Sequence, residues 1–160
     1  MDVIWQTVFI GVGATLIMDA WAVIQKRVWN IPPLDYRLVG RWVGCFFQKK
    51  LIHKTIIQTS QVKGEVIIGW FLHYLIGIVF SFLMIWVVGY KWLLNPTFFP
   101  ALIAGIISVI APFFIMQPCF GFGIAASLTP KPNSARFRSL IAHVSFGVGL
   151  YISAELLCLI

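Results

Sequence analysis

Between Glu65 and Tyr90 the chain reads EVIIGWFLHYLIGIVFSFLMIWVVGY, and after the opening glutamate no Asp, Glu, Lys or Arg interrupts the run. At a rise of ~1.5 Å per residue, a helix of this length crosses the ~30 Å hydrocarbon core of a bilayer. Peptide groups find no water there, and a helix satisfies them within its own segment. Working outward, three more apolar runs of similar length stand at about residues 3–24, 98–117 and 135–158. The chain is therefore expected to be all-α. It reads as a polytopic membrane protein with four transmembrane helices in a bundle, forming one domain over residues 1–160.

Composition points the same way. Hydrophobic residues make up 60% of the chain and charged residues 11%, outside the range of soluble globular domains. A net charge of +7 would suggest nucleic acid for a soluble domain. Here the basic residues sit beside apolar spans, so anionic lipid headgroups are the expected partner and nucleic acid is not. Cys45, Cys119 and Cys158 show no CxxC spacing, which argues against a disulfide framework, a zinc knuckle or covalent haem.

Charge also sets the orientation. Of the twelve Lys and Arg, eight lie between Lys26 and Lys63, with Asp35 the one acid among them. Loops rich in Lys and Arg stay in the cytoplasm, which places both termini outside. Lys131, Arg136 and Arg138 fall on the same inner side, and Lys91 alone falls outside. The only charge before Asp19 is the acidic Asp2, so the first run lacks the basic start of a signal peptide and is kept as a span.

Within the inner loop, Leu34, Leu38, Trp42, Cys45 and Phe46 recur at helical spacing, with Arg37 and Arg41 on another face. This predicts an amphipathic helix over Leu34–Gln48 lying on the inner leaflet, with Arg37, Arg41, Lys49 and Lys50 at the lipid headgroups. Residues 52–62 show no period and read as a connector. In the third span Pro112 cannot donate to the Ser108 carbonyl, which predicts a kink. Pro118 and the glycines after it predict a broken or short re-entrant piece. Asn133 or Ser134 is expected to cap the last helix.

Three spans place an ionisable residue at one level, in the inner half: Asp19, His73 and His143, each ~8–12 Å from the basic boundary at helical rise. Gln117 and Cys119 approach that level from the third span. Such groups are costly inside a membrane and usually face a bundle interior or a wet cavity. Residues four apart share a helix face, and each of these lies on a face of small residues. Those faces are Thr7, Gly11, Thr15, Asp19; Gly69, His73, Gly77, Ser81; and Ser139, His143, Gly147, Tyr151, Glu155. Each polar group also has a plainer reading: a carboxylate or imidazole in a structural hydrogen bond, a solvated Glu155, a packing cysteine.

Three motifs carry a resemblance: Gly40-Arg41-Trp42-Val43-Gly44; Gln117-Pro118 followed by Gly121, Gly123, Ala125-Ala126-Ser127 and Thr129-Pro130; and His143 with Phe146-Gly147, Gly149-Leu150-Tyr151. Together they resemble a bacterial four-helix membrane family catalogued only as a domain of unknown function. The likeness covers nearly the whole chain. It implies four spans and a bacterial inner-membrane location, and it brings no activity or site residues. Cys45 stands where that pattern often has a histidine.

The residues favour a small transporter or permease-like subunit in which Asp19, His73 and His143, with Gln117, bind a proton or cation. An adjacent carboxylate strengthens proton binding by an imidazole. Four spans make a small pore, so a homodimer is expected. An alternative is a redox protein binding haem b or a transition metal through His73 and His143, with Asp19 and Cys119. A third is an accessory subunit whose polar layer fixes helix register. No nucleophile–base–orienter set of an enzyme is legible.

Overall fold

The computed structural model describes residues 2–159 and contains no strand among them. The helices are α1 (Val3–Trp29), α2 (Arg37–Gly44), α3 (Glu65–Val88), α4 (Phe98–Ser108), the single turn α5 (Gln117–Cys119) and α6 (Pro132–Cys158). Four stretches are long and apolar enough to cross a membrane: Val3–Trp29, Glu65–Val88, Phe98–Cys119 and Pro132–Cys158. Only 22–39% of the most apolar window of each is buried. The remaining apolar surface is far larger than a soluble monomer exposes and is what hydrocarbon solvates.

Helix ends follow local chemistry. Asp2 caps α1, its carboxylate accepting from the Ile4 amide at 3.0 Å. At the other end Asn30 takes the left-handed conformation, φ 54°, and its N–H returns to the Gln25 carbonyl. That cap carries α1 past the expected end near Ile24 and through Lys26 and Arg27, which sit favourably in a last turn. At Pro112 the expected distortion takes the form of a π-helical turn over Pro112–Met116, where the Gln117 amide donates to the Pro112 carbonyl. Pro118 then lies within α5, so the chain stays helical to Cys119. The last helix starts at Pro132, which places Asn133 inside its first turn and not at the cap; there its side-chain carbonyl accepts from Arg136 Nη1 at 3.1 Å. Proline at a helix start loses no bond, and that favours the earlier beginning.

The chain forms two compact units. The first takes the segments up to Pro33, Tyr74–Ser108 and from Leu140 onward. It is a four-helix bundle whose core includes Ile10, Ala14, Met84, Ala101, Phe146 and Leu150. Small residues set its spacing: a methyl group at Gly105 would stand 2.5 Å from Gly147 Cα, and one at Gly11 would stand 2.6 Å from Ile78 Cα.

The second unit takes Leu34–His73 and Val109–Ser139. Val39, Ile56 and Phe120 form its core, with Leu38, Trp42, Leu72, Met116 and Phe122 packed around them. Helix α2 presses on the start of α3, where the backbones at Gly40 and Glu65, and at Gly69 and Tyr36, leave no room for a side chain. The stretch expected to be a mere connector is part of this core. The His53 amide donates to the Cys119 carbonyl and the Ile56 amide to that of Phe120, both at 2.9 Å. Gly121, at φ 82°, allows the approach, since a methyl group there would stand 2.6 Å from the His53 carbonyl.

Candidate functional site

In the first unit the face Thr7, Gly11, Thr15, Asp19 of α1 turns inward. Thr7 and Thr15 are buried, and their hydroxyls donate to the Val3 and Gly11 carbonyls of their own helix at 2.7 and 2.8 Å. From α3 the Ser81 hydroxyl donates to the Thr7 carbonyl at 3.0 Å. One turn beyond Thr15, Asp19 accepts a hydrogen bond from the Tyr74 hydroxyl, 3.1 Å to Oδ2.

His143 on α6 meets Ser108 at the end of α4, Nδ1 to Oγ, 2.6 Å apart. The same hydroxyl lies 2.6 Å from the Gly105 carbonyl. A serine has one proton; donated to Gly105, it leaves Oγ to accept from the imidazole Nδ1–H. Asp19 and His143 are thus each tied to a hydroxyl on a different helix. Neither Tyr74 nor Ser108 stood out in the sequence. Their signal was position, beside His73 for Tyr74 and four residues before Pro112 for Ser108.

His73 belongs to the second unit, where its ring stacks on Tyr36 with centroids 3.9 Å apart. Trp70 meets Tyr36 edge-on at 4.8 Å. Gln117 Nε2 reaches Ser139 Oγ at a long 3.5 Å, while its carbonyl oxygen is buried without a hydrogen-bond partner among the described residues. Cys119 is half-buried and contributes its backbone carbonyl to the loop. Among the described residues no group of three or more His, Cys, Asp and Glu is gathered that could hold a metal ion.

Arg41 corrects an expectation. It does not face lipid headgroups but is 6% exposed. Its Nε and Nη2 donate to the two carboxylate oxygens of Glu65, each at 2.8 Å. Nη1 reaches the carbonyls of Ile56, Ile57 and Thr59 at 3.1–3.3 Å. A planar fork with five donors suits this arrangement, and the Glu65 carboxylate holds the guanidinium above its ordinary pKa. Arg37 does remain exposed, paired with Asp35 at 2.8 Å, and its hydrogen bond holds the Asp35 carboxyl below the usual range.

His53, which no period marked, is buried in this loop with Nδ1 2.9 Å from Thr59 Oγ1. Desolvation, with the Lys50 charge second, holds its pKa below the ordinary imidazole value.

The 117–127 segment leaves helical geometry after Cys119. Gly121 and Gly123 take positive φ, and so do Ala125 and Ala126, at 48° and 59°. The Arg136 Nε donates to the Ala125 carbonyl at 2.8 Å, and the Thr129 amide and hydroxyl both donate to that of Ala126. These bonds hold two alanines in a region that L-residues avoid.

Four apolar helices long enough to cross a bilayer describe an α-helical, multi-pass membrane protein. The chain belongs to the family described as "Protein of unknown function (DUF2938)", whose model matches residues 8–157. Comparison with curated proteins and with solved structures returns no match.

Proposed function

We propose that the chain is a small transporter or permease-like subunit of a bacterial inner membrane, with the basic loop of residues 26–63 in the cytoplasm, both termini outside, and a homodimer as the working form. The observation that carries this reading is the pair of contacts Asp19–Tyr74 and His143–Ser108. Each couples a group able to gain or lose a proton to a hydroxyl on another helix, so a change of charge alters an interhelical contact. The π-helical turn at Pro112–Met116 adds support, because such turns inside spans are frequent at functional sites.

The test uses purified protein in proteoliposomes carrying an internal pH dye, challenged with amino acids, sugars and organic cations in turn. A solute-driven pH change that is lost in Asp19→Asn and His143→Gln supports coupling. No response to any solute, or one that both variants keep, removes the reading.

The Ser81–Thr7 bond and the glycine contacts favour a second reading, an accessory subunit whose polar layer fixes helix register. It predicts that Asp19→Asn lowers thermal stability in step with any activity lost.

A further inference from the structure

The loop of the second unit borders a half-open cleft of about 360 Å³ whose wall includes Lys50, Lys54, Thr55, Gln58, Ser60 and Gln61. No carboxylate contributes to that wall. Among the described residues neither Lys50 nor Lys54 pairs with an acid; Asp35 and Glu65, the nearest acids in sequence, are held by Arg37 and Arg41. Four carbonyls of the loop are engaged elsewhere. Arg41 takes the carbonyls of Ile56, Ile57 and Thr59, and the Thr59 hydroxyl takes that of Thr55. The side chains at the cleft offer ammonium, hydroxyl and carboxamide donors.

We propose that this cleft binds the phosphate group of an anionic ligand. Ammonium and hydroxyl donors match phosphate oxygens, and the volume lies at the lower end of the ~300–1,000 Å³ typical of small-ligand sites. Burial is the main cause that depresses the pKa of the neighbouring His53, and the Lys50 charge adds to it. Two sources offer the same chemistry, a phospholipid headgroup and a free phosphorylated small molecule. The proposal stands apart from the transport reading.

The experiment uses the full chain in phosphatidylcholine nanodiscs, titrated calorimetrically at fixed ionic strength with inorganic pyrophosphate and, separately, with dihexanoyl phosphatidic acid. Binding is expected to weaken about tenfold or more in the double variant Lys50→Gln/Lys54→Gln. It is also expected to weaken in Ser60→Trp, which fills the cleft, keeps both charges and changes an exposed position. The double variant Lys49→Gln/Lys63→Gln removes the same charge outside the wall and should bind as the parent does. Binding of both probes assigns the site to free phosphates as well; binding of the short lipid alone assigns it to headgroups. The proposal falls if neither probe binds, if Ser60→Trp binds normally, or if both double variants lose affinity equally. Should Lys50→Gln/Lys54→Gln fail to fold, Ser60→Trp decides the matter.

Discussion

Arg41 and Glu65 meet as fork to fork, Nε on Oε2 and Nη2 on Oε1, both at 2.8 Å, with side chains 7% and 8% exposed. The Val62 amide adds a third bond to Oε2 at 3.0 Å, so helix, loop and span are fastened at one point. Removing one partner of a buried pair strands the other charge and typically costs about 3–5 kcal/mol. Arg41→Ala should therefore lower the thermal midpoint sharply, read by tryptophan fluorescence in detergent. Arg41→Lys should recover little, because a point charge cannot also hold three carbonyls. A wild-type midpoint in Arg41→Ala would show that the clamp is not structural.

Acid should loosen the same loop through His53. Burial lowers its pKa in the fold, so between that value and the unfolded 6.5 the unfolded chain binds the extra proton. The stability contribution is complete above 6.5 and is lost as the pH falls toward the folded pKa. Hydrogen exchange of residues 51–59 should be faster at pH 5.5 than at 7.5 after correction for intrinsic rates. His53→Asn should flatten that difference; an unchanged pH response in the variant would place the titration elsewhere.

Gly105 and Gly147 are spaced for backbone contact. Gly105→Ala should destabilise the bundle by about 1–3 kcal/mol through overpacking. Ile107→Ala, at a position 54% exposed, should stay within about 0.5 kcal/mol. Equal midpoints for the two variants would mean that the helices can part to admit the methyl group at no cost.

Asp19 and Tyr74 should behave as one unit. Tyr74→Phe and Asp19→Asn each weaken the contact, so the double variant is expected to lose less than the sum. Coupling of about 0.5 kcal/mol or more is typical of directly bonded side chains. A double-mutant cycle on unfolding midpoints measures it, and strict additivity would mean that the bond has no energetic weight.

The four spans were legible because bilayer thickness dictates helix length, and length and hydropathy are properties of the sequence itself. The four-residue faces were legible too: Thr7, Gly11, Thr15, Gly77, Ser81 and Gly147 are all buried. What escaped notice depends on contacts between distant segments. Arg41 looked like a headgroup ligand because its helix is amphipathic, and only the glycines at 40 and 69 bring it against Glu65. Residues 52–62 carry no period because a loop folded on carbonyl bonds needs none. The hydroxyl partners Tyr74 and Ser108 are neutral and common, and they acquire meaning only beside Asp19 and His143.

The amides of His53 and Ile56 close onto the carbonyls of Cys119 and Phe120. During synthesis those carbonyls leave the ribosome only after the entire apolar hairpin of α3 and α4 has been made. Until then the loop lacks two of the acceptors that shape it, and Gly121 has not yet arrived to admit its backbone. The early half of the chain thus waits for the late half as a template. Closure of this loop therefore comes after the third span has been synthesised.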